Sequence, residues 1–157
     1  MNEKGKAIGI VLVITVILGL SILTSVLYGN YPIEEAEGKA TAEAFLSALQ
    51  AGDHDAMAAL YHPKQEMDAE KMRQELEPDE VIRYFDLNKS EITDVEIGNF
   101  ISNTRNNNIR NNHSRSNRYG VIFTMKVNDI PCTGVLYLKK DIHGYGINYF
   151  VIVPYGN

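Results

Sequence analysis

The chain of 157 residues has no tryptophan and a single cysteine, Cys132. One thiol cannot close an internal disulfide, so a core must come from apolar packing alone, and the apolar run around Cys132 predicts a buried free thiol. The four histidines, His54, His62, His113 and His143, do not stand at the i, i+4 or Cys/His spacings that zinc needs, so no metal is expected. There is no Gly-x-Ser-x-Gly elbow and no glycine-rich phosphate loop, and nothing marks a base for Cys132. These absences remove the common hydrolase and nucleotide-binding readings, and no cofactor is expected. Basic residues are also in deficit, 15 against 20 acidic ones. Nucleic acid is therefore not an expected partner.

What is present begins with AIGIVLVITVILGLSILTSVLY, residues 7 to 28, an uncharged run. As a helix it would be about 33 Å long, the thickness of a bilayer's hydrocarbon core. The run predicts a single-pass transmembrane helix over 7–28, acting as an uncleaved signal-anchor. Lys4 and Lys6 precede the run and Glu34, Glu35 and Glu37 follow it. The positive-inside rule then places 1–6 in the cytoplasm, 29–32 as a short tether and 33–157 as one extracytoplasmic domain at the cell membrane. Two alternatives stay open. A cleaved export signal would have a shorter apolar segment and a small-residue cleavage site. A pilin-like structural protein resembles this layout, but pilins carry a glutamate early in the apolar run, and here Gly5 and Lys6 are followed only by uncharged residues.

Charge divides the rest of the chain. Residues 33–96 hold 17 acidic and 6 basic residues, whereas 97–157 hold 2 and 7. The plain explanation is two solvated layers; the sharper one is a basic half facing an anionic lipid or surface polymer. A helix is predicted over 33–50, with Ile33, Ala36, Ala40, Ala44, Phe45, Ala48 and Leu49 as its apolar stripe. Gly52 should end it and Asp53 should cap a second helix that stops before Pro63. Asp68 to Leu87 is expected to stay helical, restarting after Pro78. Four strand-like runs follow, near 92–101, 119–127, 132–139 and 145–153. Gly98-Asn99 marks a bulge, and Asn128-Asp129 a two-residue turn. Helices first and an antiparallel meander afterwards define an α+β domain.

The stretch AEAFLSALQAGDHDAMAALYHP, residues 42 to 63, resembles the opening of the NTF2-like, or cystatin-like, superfamily: Phe45-Leu46, then Gly52-Asp53, then Leu60-Tyr61 before Pro63. The resemblance covers about a seventh of the chain. It implies helices packed on a curved antiparallel sheet that wraps the long first helix and leaves a cone-shaped pocket. The strand that the superfamily carries between its helices has no counterpart here. Candidate pocket residues are Phe45, Leu49, Tyr61, Phe123, Tyr137 and Tyr149. Catalytic relatives, ketosteroid-isomerase-like or cyclase-like, place an Asp or His inside the cone, and Asp55, His62 and Tyr61 are the only residues near that position.

Between the first two strands, Ser102 to Arg118 contains seven asparagines and four arginines, with Ile109 its only large apolar residue. Such a segment predicts a solvated loop. Arg105, Arg110, Arg115 and Arg118, with no acidic neighbour in it, are the candidate anion contacts. The expected function is a binding or accessory module without catalysis, anchored in the membrane beside a membrane protein or an anionic polymer. The alternative is a small isomerase- or cyclase-like enzyme.

Overall fold

The computed structural model describes residues 15–20, 23, 31–79, 84–102 and 119–155. The transmembrane expectation is overturned: among these residues no helix is long and apolar enough to cross a membrane. Within 7–28, the described residues 15–20 and 23 are helical and exposed, and the rest of that run lies outside the described residues. A helical stretch of residues 15–20 rises about 9 Å, against about 30 Å of hydrocarbon. The single-pass signal-anchor therefore has no support from the structure.

Helix α1, Glu35–Ala51, is the long element on which the domain is built. Glu35 and Glu37 lie in its first turn, where carboxylates oppose the helix dipole. Gly52 ends it in the left-handed conformation at φ 66°, and its N–H reaches the carbonyls of Ala48 and Leu49. The buried stripe differs from the predicted one. Gly38, Ala42, Phe45, Leu46, Ala48 and Leu49 face inward, while Ala36, Ala40 and Ala44 are exposed. Burial scales with apolar area, so three large side chains set the helix rotation and the small alanines follow.

Asp53 then caps helix α2, His54–Ala59, by accepting from the Ala56 N–H at 2.9 Å. His62 opens a single 3-10 turn, Pro63–Gln65. Asp68 caps helix α3, Ala69–Glu75, through the Lys71 N–H at 2.8 Å. The helix expected to run on to Leu87 is shorter. The Leu76 cap and Pro78 close α3, and Leu87 N–H returns to the Leu76 carbonyl at 2.9 Å. Val81 and Ile82 lie outside the described residues, and Tyr84 and Phe85 are not helical.

Four strands follow: β1 Ile92–Ser102, β2 Tyr119–Val127, β3 Ile130–Asp141 and β4 Gly144–Pro154. They pair antiparallel in chain order, giving the expected meander. Asn128 and Asp129, at φ 51° and 66°, form the turn that their sequence predicts, with the positive angles that right-handed strand twist favours. The register of β1 breaks between Ile97 and Phe100, at the expected bulge. It also breaks between Thr93 and Glu96, around Asp94 at φ 50°, where alternation alone gave no warning.

Opposed pairs share a face, and Phe123, Val121 and Met125 with their partners Gly134, Leu136 and Cys132 are buried. This face receives Phe45, which is fully buried with its ring 5.2 Å from Phe150 and 6.3 Å from Tyr61. Gly38 lets α1 approach: a Cβ there would stand 2.6 Å from the Phe100 ring. Cys132 is buried and free, and burial pushes its thiol up.

Candidate functional site

The structure separates the six pocket candidates into two groups. Phe45, Leu49, Tyr61 and Phe123 are buried within one core cluster, so the space over the inner sheet face holds side chains. Tyr137 and Tyr149 face each other across β3 and β4 on the opposite side of the sheet and stack with centroids 4.4 Å apart. A groove of about 320 Å³ lies elsewhere, near the β2–β3 turn. It is lined by Asp94, Glu96, Thr124, Lys126, Pro131 and Tyr155 among others, and includes none of the six candidates. Lys126 closes an ion pair with Asp94 at 2.6 Å across its rim. The four arginines, Arg105, Arg110, Arg115 and Arg118, lie outside the described residues.

Of the polar candidates near the cone, Asp55 occupies the first turn of α2, where it favours the helix dipole. His62 is the one buried polar residue among the described residues, 1% exposed. Two local features place it there. Its backbone N–H donates to the Ile147 carbonyl at 2.8 Å and Ile147 N–H returns to the Leu60 carbonyl at 2.9 Å, so residues 60–62 run as a short parallel extension of β4. Gly146 makes that approach possible, because a Cβ on it would meet the backbone of Leu60, Tyr61 and His62 at 2.5 to 2.7 Å.

The imidazole is engaged at both ends. Nδ1 accepts from the Lys64 backbone N–H at 3.2 Å, and Nε2 lies 3.0 Å from Asp141 Oδ1. Asp141 also accepts from the His143 N–H at 2.8 Å and pairs with Lys139 at 3.0 Å. Burial pushes the Asp141 carboxyl up, but the His143 N–H, Lys139 and His62 outweigh it and bring it down to about 2. No sequence pattern connects His62 to Asp141. The only hint was a histidine directly before a proline at the end of a helix.

A pH dependence follows, with its sign fixed by the direction of the shift. A carboxyl held below its ordinary 3.8 stabilises the fold fully above about pH 4, and that contribution disappears as the pH falls toward 2. The Asp141 side chain is 9% exposed, and after allowance for solvent screening the contribution is about 1 to 2 kcal/mol. Asp141→Asn keeps an acceptor oxygen but cannot ionise. Urea unfolding at pH 5 and pH 2.5 should show a smaller loss for the variant than for the parent, and equal losses would remove Asp141 from the balance.

A second polar junction ties the start of α1 to the hairpin. Lys140 Nζ reaches both Glu37 carboxylate oxygens at 3.0 and 2.9 Å, and the Tyr145 hydroxyl lies 2.7 Å from Thr41 Oγ1. Burial pushes the Tyr145 phenol up, with Thr41 opposing and the Glu37 charge assisting. Thr41 in turn donates to the Glu37 carbonyl at 3.0 Å. Neutral Tyr145 thus heads a closed chain of donors and acceptors. Among the described residues no three His, Cys, Asp or Glu side chains gather as a metal site would require. No protein-family model matches the sequence, and neither a curated protein nor a solved structure matches it.

Proposed function

We propose that the chain is a non-catalytic binding or accessory module built on an NTF2-like arrangement of helices and sheet. The observation that carries this is the filling of the inner sheet face: Phe45 and Phe123 are fully buried where an open cone would need room for a substrate. The order of elements, a long helix, a Gly52-Asp53 turn, a short helix ending before Pro63 and then an antiparallel meander, supports the resemblance. An isomerase or cyclase also needs a group free to accept a proton at the floor of its pocket. His62, the nearest candidate, has Nδ1 taken by a backbone N–H and Nε2 by a carboxylate, so while the turn is closed neither nitrogen is presented to a substrate.

The test compares the full chain with His62→Gln in an isomerisation assay on a small β,γ-unsaturated ketone, followed by the ultraviolet absorbance of the conjugated enone. The proposed module gives no rate above buffer with either protein. A rate that His62→Gln abolishes would make the chain an enzyme. The binding half is tested with a soluble polyanion such as polyphosphate. Replacing Arg105, Arg110, Arg115 and Arg118 together by Ser should leave the melting temperature nearly unchanged. At low salt the same change should weaken polyanion binding by about tenfold or more if these arginines make the contact. Binding that does not respond to the substitution would assign the interaction to another surface.

A further inference from the structure

His62 is held in one tautomer by a partner that can only donate. A backbone N–H has no acceptor capacity, so Nδ1, facing the Lys64 N–H, is unprotonated. Nε2 therefore carries the hydrogen and donates to Asp141 Oδ1. The neutral ring satisfies two elements at once, the first turn after α2 and the end of β3.

A second proton can enter only at Nδ1, and there it converts the acceptor of the Lys64 N–H into a donor pointed at a donor. At the other end the same proton strengthens the contact, since the Nε2–H bond to the ionised Asp141 gains a cationic donor and becomes an ion pair. The two halves of the junction thus respond in opposite directions. We propose that protonation of His62 opens the Pro63–Gln65 turn while the ring stays fixed to Asp141, so that this turn is a proton-dependent hinge between the 60–62 extension of β4 and helix α3. Among the described residues the titratable group in contact with the ring is Asp141 from the hairpin, whose carboxylate is shared by Lys139 and the His143 backbone N–H, and Lys64 follows His62 in the turn. Lys139 shares the Asp141 charge, so the carboxylate is not committed to the imidazole alone.

Opening the turn has a defined set of losses. The Gln65 N–H leaves the His62 carbonyl, now 2.8 Å away, and the Gln65 amide strains its 2.7 Å bond to Asn148. Pro63 also leaves Gly144, whose missing Cβ would stand 2.9 Å from its ring. The His62 N–H bond to Ile147 belongs to the sheet extension and stays closed.

The test follows the full chain between pH 8 and 5, the range in which imidazoles titrate. The His62 ring nitrogens are read by 15N NMR, and amide hydrogen exchange is read residue by residue after correction for its intrinsic pH dependence. At pH 8 the ring should show the Nε2–H form. As it titrates, Lys64 and Gln65 amides should exchange about 5- to 10-fold faster, the loss of roughly one hydrogen bond, with the same midpoint as the ring. The His62 amide should hold its protection. His62→Asn retains an oxygen able to accept from the Lys64 N–H and cannot titrate, so it should abolish the pH response while preserving the turn. An Nδ1–H ring at pH 8, a ring that does not titrate in this range, or a Lys64 amide unmoved through the ring's titration would overturn the hinge. So would faster exchange of all amides together, which is global unfolding, or a response that persists in His62→Asn.

Discussion

Phe45→Ala is expected to lower the free energy of unfolding by about 3 to 5 kcal/mol, the cost of emptying a core aromatic site. Phe45 is fully buried and its ring touches both Phe150 of β4 and Tyr61 of the segment beside it. Truncation removes the transfer free energy of the ring and leaves a void at the junction of α1, β4 and residues 60–62. None of these can collapse into the void easily, because each is held by its own backbone bonds. For a domain with total stability of about 5 to 15 kcal/mol this is a large fraction. Chemical denaturation of the full chain measures it, and a loss below about 1 kcal/mol would place Phe45 outside the core.

Gly146→Ala should cost a comparable amount, about 3 kcal/mol or more, for a different reason. The added methyl would press on backbone atoms of Leu60, Tyr61 and His62 at 2.5 to 2.7 Å, and no rotamer change relieves a backbone contact. Either β4 moves or the 60–62 segment lifts away. Lifting loses the paired bonds between Ile147 and residues 60 and 62, together with the His62 to Asp141 contact. The variant should therefore lose hydrogen-exchange protection at the His62 and Ile147 amides as well as stability. Unchanged stability, or protection retained at both amides, would show that the close approach is not required.

Signals carried within a few residues were legible in the sequence. Gly52-Asp53, Pro63, Gly98-Asn99 and Asn128-Asp129 each impose a local backbone geometry, and the structure has a cap, a stop, a bulge and a turn at those places. Misreadings arose where tertiary packing decides. Alternating alanines gave α1 a stripe through Ala36, Ala40 and Ala44, whereas the volumes of Phe45, Leu46 and Leu49 turned the helix another way. The apolar run of 7–28 has the composition of a membrane helix, yet the described helices contain no span of the required length. Tyr137 and Tyr149 read as inward-facing aromatics, but strand parity puts them on the side opposite Phe123. The contact between His62 and Asp141, 79 positions apart, depends on the close approach at Gly146, which no periodicity encodes.

The chain-ordered meander also sets the relative speed of its own assembly. Two-residue turns join β2 to β3 and β3 to β4, whereas 16 residues separate β1 from β2. Closing the longer connection costs about 2 kcal/mol more chain entropy than closing a two-residue one. Hairpins with tight turns form in about 1 to 10 μs. The β2–β4 unit should therefore nucleate, with β1 and α1 docking late, which conservative truncations would register as high φ-values at Val135 and Val151 and low ones at Val95. A strand that joins late and sits at the outer edge is the part most exposed to wrong partners while the protein is being made. The two bulges and the charged Asp94 and Glu96 on β1 are a defence suited to that interval, since they deny a neighbouring chain the flat, neutral edge that cross-pairing needs.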